Sequence, residues 1–337
     1  MELNVLWFIF IAVLFIGYFV LEGFDFGVGI LLPFLGRTDQ QRRMIINTIG
    51  PHWDGNEVWL ITAGGAMFAA FPGWYATLFS SFYLPFFFML MALIVRGVAF
   101  EFRSKEDHPL WRSTWDWAIF AGSLAPALLW GVVMTNLVRG IPIDASQNFV
   151  GGLWDLLDPF ALLGGLVSLV SFTILGAAFL ALKIDGSLML AARRVTRRMW
   201  LPALVLLVAF TIINYLSTDL LIRPGPVARL IPIGAALALL ISGWFIRQGR
   251  DGWTFALLST SVALAAAAIF FQLFPRVIVS SIDPAYSLTI DNTASGPTTL
   301  HLMTTVTVIL LPLVIAYQAW SYWLFRKRIS EKAHLEY

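Results

Sequence analysis

Residues 5–34, VLWFIFIAVLFIGYFVLEGFDFGVGILLPF, form a long apolar run interrupted by only two charged side chains, Glu22 and Asp25. About 20 apolar residues suffice to carry a helix across a bilayer core, so this run spans with length to spare. It is continuous rather than alternating, which favours a helix over a barrel strand. Glu22 and Asp25 lie three residues apart, one turn along the same helical face. A carboxylate is costly to hold inside a membrane helix, and its default reading is a functional site.

The rest of the chain agrees with that reading. Its 337 residues are 59% hydrophobic and 12% charged, whereas a soluble domain carries about twice that charge. The chain reads as an all-α integral membrane protein forming one domain over 1–337. No cysteine occurs, which excludes disulfides, thiolate metal sites and thiol catalysis. Met1-Glu2-Leu3 lacks the basic segment of a secretory signal, and the first apolar run is too long for one, so it is expected to stay as a span.

Hydropathy predicts about nine transmembrane helices, near 5–34, 51–71, 74–100, 115–138, 159–182, 201–222, 227–246, 253–275 and 299–325. Seventeen of the 22 Lys and Arg follow helices 1, 3, 5, 7 and 9, among them Arg42, Arg103, Lys183, Arg193, Arg250 and Arg328. Only Arg139, Arg223, Arg229 and Arg276 lie on the other side, and Arg96 falls within helix 3. By the positive-inside rule the N-terminus is outside and the C-terminus cytoplasmic. Ser187–Trp200 reads equally well as an amphipathic helix on the inner leaflet or as a solvated basic loop. The outer segments 139–158 and 276–298 read as ordered caps.

A second stretch, Asn47–Gly65 (NTIGPHWDGNEVWLITAGG), opens helix 2 with His52, Asp54, Asn56 and Glu57. Helix 1 starts outside, so Glu22 and Asp25 arrive in its inner third, roughly 25–30 Å along at 1.5 Å per residue. Helix 2 starts inside, which puts His52, Asp54 and Glu57 at the same depth. Arg96 of helix 3 is expected in that layer too. Four carboxylates then face one arginine, an imbalance that low dielectric penalises unless some of them carry protons. A protonatable layer near the cytoplasmic face suits a proton-uptake route. The bland alternative is an ion pair from Asp25 or Asp54 to Arg96 that only fixes helix packing. Gly23, Gly27, Gly29, Gly64 and Gly65 read as sites of close helix approach.

The only histidines are His52, His108, His301 and His334. His52 alone sits beside the acidic layer, so neither a bis-histidine haem nor a multi-histidine copper site is available from this chain, and no metal site is assigned to it. His52 reads as a hydrogen-bonded or proton-carrying residue. No nucleophile triad or glycosidase carboxylate pair is present. A nucleotide-loop reading of GFDFGVG fails, because its glycines lie in a membrane helix with no preceding strand.

At these residues the chain resembles subunit II of the cytochrome bd-type quinol oxidases. The resemblance rests on Gly23–Gly36 (GFDFGVGILLPFLG), Arg42–Pro72 (RRMIINTIGPHWDGNEVWLITAGGAMFAAFP), Phe102–Lys105 (FRSK) and Trp115–Ser123 (WDWAIFAGS). It is sharpest over the first 125 or so residues; beyond them it rests on span number and the SLTIDN-type loop at Ser287–Asn292. It implies a haem-containing terminal oxidase of the bacterial or archaeal cell membrane that oxidises quinol and reduces dioxygen to water. Haems b and d and the quinol-oxidising loop are then expected on subunit I, with this chain as its pseudo-symmetric partner and a small single-span subunit alongside. The resemblance also implies a proton-route role for Asp54 and, by extension, Asp25, and places Trp53 and Arg96 near a bound structural quinone in some members. No nucleic-acid partner is expected. Two other readings compete: a proton-coupled secondary transporter, weakened by the lack of an inverted repeat, and a structural subunit whose acids only fix assembly.

Overall fold

The computed structural model describes residues 2–221, 226–330 and 335. Helix α1 (Leu3–Leu35) runs through the middle of the molecule. Around it pack α3 (Trp53–Ala70), α6 (Pro109–Arg139), α7 (Pro159–Lys183) and α10 (Asp251–Leu273). Helices α1 and α7 cross closely where Gly27 lies against Gly176 and the Phe172 carbonyl. A Cβ on Gly27 would overlap that carbonyl, so the two backbones touch only because neither glycine has a side chain. Aromatic rings fill the space above, with Trp130 of α6 packed edge-on against Phe15, Tyr18 and Phe19 of α1.

Outside this core lie α5 (Tyr83–Phe102), α8 (Gly186–Ser217), α9 (Pro226–Gln248) and α11 (Pro297–Leu324). Helix α11 stands at the margin and buries only Leu300 within this chain. Among the described residues eight helices are long and apolar enough to cross a membrane, against the nine expected. The missing one is α3, whose 18 residues carry Asp54, Asn56 and Glu57 in the first two turns. Its polarity belongs to the candidate site.

Three expected boundaries move. The single helix at 74–100 is two, α4 (Pro72–Ser81) and α5, broken at Phe82. Pro85 has no N–H to offer the Ser81 carbonyl, and the helix does not run through. The segment Ser187–Trp200 is helical, not a loop. It forms the first turns of α8, which passes through Pro202 without stopping. Residues 39–49, left without structure by hydropathy, form the short helix α2 (Asp39–Ile49). Thr38 caps it by accepting from the Gln41 N–H at 3.2 Å, and Met44, Ile45, Ile46 and Ile49 are buried on one side.

The segments expected outside, 139–158 and 276–298, do form ordered structure. Strands β1 (Arg276–Ile278) and β2 (Leu288–Thr289) pair antiparallel. The 139–158 segment joins them through Ile141 N–H to Val279 O at 3.0 Å and Ser280 Oγ to Ile143 O at 2.8 Å. At the opposite end the basic segments converge. Asp116 is buried between Arg103 and Arg42, each at 2.6 Å, and Asp39 takes Arg103 and Arg112, each at 2.9 Å. Asp251 takes Arg193 at 2.7 Å and Arg328 at 3.2 Å. The segments expected on one side of the membrane therefore do share one end of the molecule.

Candidate functional site: a buried acid–arginine cluster

Three helices meet where the sequence placed the acidic layer. Glu22 and Asp25 of α1 are both fully buried. Arg96 of α5 reaches them because Gly122 of α6 has no side chain; a Cβ there would press on Arg96 Cβ and the Ala92 carbonyl. The Arg96 guanidinium donates to Glu22 Oε1 and, at 3.3 Å, to Glu57 Oε1 of α3. It also lies 4.9 Å from the Phe26 ring centroid and 5.4 Å from that of Phe100. These faces add a cation–π attraction to a fully buried guanidinium.

Asp25 is held differently. The Asn56 side-chain amide donates to its Oδ2 at 2.7 Å. The Asn56 carbonyl oxygen accepts in turn from the Tyr322 hydroxyl at 2.8 Å and from Gln318 Nε2 at 3.3 Å, both on α11. Gln318 is itself fixed by Trp59 Nε1, which donates to its Oε1 at 2.7 Å. His52, just ahead of α3, stacks face to face on Tyr322, with centroids 4.2 Å apart and planes 5° apart. The result is a polar cluster across α1, α3, α5 and α11, made of two hydrogen-bonded groups, Glu22–Arg96–Glu57 and Asp25–Asn56 with Tyr322, Gln318 and Trp59, that adjoin where Glu22 and Asp25 lie one turn apart on α1. Glu22 Oε2, Asp25 Oδ1, Arg96 Nε and Arg96 Nη2 are buried in it without a hydrogen-bond partner among the described residues. Buried polar atoms are rarely left so.

Four of the expected site residues, Glu22, Asp25, Glu57 and Arg96, thus form the cluster, with His52 joined through Tyr322. Asp54 does not enter it. It lies exposed on the outer face of α3 with Val58, Ile61, Gly65 and Phe68, one turn from Glu57. Exposure then falls along the series: Asp54 is open, the Glu57 side chain is 21% exposed and that of Glu22 is 0%. Trp53 packs on Phe100 at 5.3 Å and lies against Gly97.

A scan against family models matches residues 3–325 to cytochrome bd terminal oxidase subunit II. The chain belongs to that family. It is 46% identical over 337 residues to the cytochrome bd ubiquinol oxidase subunit 2 of Bacillus subtilis (strain 168), covering 100% of this chain and 99% of the relative. The cytochrome bd-I ubiquinol oxidase subunit 2 of Escherichia coli (strain K12) is 36% identical over 366 residues, covering 98% and 96%. Among solved structures, the bd oxidase from Geobacillus thermodenitrificans has a chain of the same fold, with TM-score 0.78 at 20% identity over 96% of this chain and 99% of that one. As a family member, the chain is a multi-pass membrane subunit of an oxygen-reducing terminal oxidase. It has a partner subunit I, and the complex uses haem. The transporter reading falls away.

For a bd oxidase subunit II, the histidine geometry bears on where haem is held. His52 is stacked under Tyr322, His108 caps α6 by accepting from the Leu110 N–H at 3.3 Å, and His301 is exposed on α11; His334 lies outside the described residues. Of the described histidines only His52 is buried, so among the described residues no pair of buried imidazoles is present to hold a haem between them. Among the described residues no group of three or more His, Asp and Glu is arranged to hold a metal ion.

Sequence reasoning missed Trp59, Gln318 and Tyr322. Gln318 and Tyr322 carried a signal: they are polar side chains four apart in an apolar helix, and so face one way.

Proposed function

We propose that this chain acts as subunit II of a quinol:dioxygen oxidoreductase in an aerobic respiratory chain, and that its acid cluster is part of a cytoplasmic proton-uptake route. The observation that carries this reading is the graded file from exposed Asp54 through half-buried Glu57 to fully buried Glu22. Among the described residues Glu22 Oε2 and Asp25 Oδ1 have no hydrogen-bond donor, which leaves each carboxylate an oxygen on which to take up a proton. Asp25 is tied through Asn56 and Tyr322 to His52, giving the network a second arm toward the basic end. That end is cytoplasmic in this reading, by the positive-inside rule.

Haems b and d are assigned to subunit I, in keeping with the histidine geometry above. The chemistry they supply when bound is electron transfer from quinol to dioxygen. This chain's residues hold and pass protons and exclude water from one side of the partner. The outer face of α3 is where subunit I is expected to lie. Gly55, Gly64 and Gly65 occur on that helix with nothing among the described residues within 4 Å of a Cβ built on them. Such glycines have no use inside the chain, and they suit a close approach by another helix. Asp54, on the same helix, would then be offered to the partner rather than to lipid. Lipid and a small single-span subunit share the remaining apolar faces.

For Trp53 and Arg96, the ion-pair alternative is the better supported, since Arg96 is fully buried and engaged with Glu22 and Glu57. A structural quinone is carried as a second proposal. The groove between α3, α4 and α5, lined by Leu60, Gly64, Phe68, Tyr75, Phe86 and Leu90, suits an isoprenoid chain.

The test is Asp54→Asn in the assembled oxidase. Oxygen consumption is expected to slow several-fold with haem content unchanged. Normal turnover in that variant would remove Asp54 from the route.

A further inference from the structure

At the basic end, α1, α7, α10 and α11 enclose a cleft of about 990 Å³, counting the part open to the surroundings. Its floor is aromatic. Phe24 and Phe179 stack at 4.1 Å, and Phe255 meets them at 5.8 and 5.6 Å. Its rim is cationic, with Lys183, Arg326 and Arg328, and His52 and Tyr322 form one wall.

The rim charges are not equally committed. Arg328 is paired with Asp185 at 3.1 Å and Asp251 at 3.2 Å. Lys183 is buried, and its ammonium donates to the Phe325 carbonyl. Arg326 donates to the Trp323 carbonyl at 2.7 Å and lies over the Trp323 ring at 4.3 Å. Neither Lys183 nor Arg326 has a carboxylate partner among the described residues. Two cations without counter-charge above an apolar floor, at the membrane end where basic residues collect, match one kind of molecule. Its negative charge must sit at the interface and its chain must run into the hydrocarbon layer.

We infer that this cleft seats one anionic glycerophospholipid, its phosphate between Lys183 and Arg326 and an acyl chain against Phe24, Phe179 and Phe255. Charge complementarity selects an anionic head over a zwitterionic one. The aromatic floor selects a lipid over a free anion. The chain after α11 runs beside the cleft, with Ile329 N–H donating to Lys183 O at 2.8 Å. The bound lipid therefore braces the end of α11, the helix whose Tyr322 holds Asn56.

The experiment uses the complete oxidase in detergent, with native mass spectrometry after addition of dioleoyl phosphatidylglycerol or dioleoyl phosphatidylcholine. The wild-type complex is expected to retain one more phosphatidylglycerol than the Arg326→Gln complex under matched activation. Its preference over phosphatidylcholine at that site is expected to be about tenfold or more. Lys183→Gln/Arg326→Gln should lose the lipid entirely, and Lys183→Arg/Arg326→Lys should keep it. Arg326 is exposed, and its hydrogen bond and ring contact are both to Trp323 at its own helix end, so the single variant decides even if the double variant fails to assemble. Equal retention of the two lipids, or of phosphatidylglycerol by wild type and Arg326→Gln, overturns the inference. So does displacement of the retained lipid by millimolar inorganic phosphate, which would mark a simple anion site.

Discussion

Asn56 turns its amide nitrogen toward Asp25 across 2.7 Å, joining the start of α3 to the last third of α1. Both side chains are fully buried. Asn56→Leu would leave the Asp25 carboxylate with no hydrogen-bond donor. Stranding a buried polar group costs about 1–3 kcal/mol, more when it is charged. The variant complex is expected to melt at a lower temperature and to consume oxygen more slowly, whereas Asn56→Gln should retain part of both. Thermal unfolding followed by the haem spectrum checks this.

Arg96 is the only cation in the cluster among the described residues. Removing one member of a buried ion pair typically costs about 3–5 kcal/mol, because the partner charge is left uncompensated. With Arg96→Gln both Glu22 and Glu57 lose their donor, and little assembled complex is expected in the membrane. Arg96→Lys retains the charge but not the fork, and an intermediate yield is expected. Quantifying the complex in membranes separates the two.

Glu57 tests conduction against packing. Glu57→Gln keeps a side-chain oxygen for Arg96 yet cannot carry a proton. If Glu57 relays protons, oxygen consumption falls several-fold with assembly and haem content intact, and Glu57→Asp recovers part of it. A purely structural Glu57 would give Gln and Asp variants of equal activity.

The glycines divide into two kinds with opposite expectations. A Cβ on Gly27 strikes the α7 backbone, and overpacking of this sort costs about 1–3 kcal/mol. Gly27→Val should therefore destabilise the chain itself. Gly65 has open space in front of it. Gly65→Val should leave this subunit folded in the membrane but reduce its co-purification with subunit I. Affinity pull-down through a tag on either subunit reads the difference.

Much of the architecture was legible because membrane crossing requires length and apolarity, both of which are local. The shared depth of Glu22, Asp25, Glu57 and Arg96 was legible too, since rise per residue and alternating direction locate a side chain along the membrane normal. Helix α2 was missed, because a hydropathy window averages away a short helix whose start is set by the Thr38 cap on the Gln41 N–H. The break at Phe82 and the extension of α8 were harder, because a proline within an apolar run is read as a kink or a stop only in context.

The amino-acid order alone determined that the chain is a helical membrane protein, that its acids gather in one layer, and that its basic residues collect at one end. These follow from spacing along single helices. Which acids touch Arg96, that Asp54 faces outward, and that Asn56, Gln318 and Tyr322 complete the network were decided only by tertiary packing. Rotation of a helix about its own axis is set by its neighbours. Here the neighbours were selected by close approach at Gly27, Gly122 and Gly176, between residues far apart in the chain.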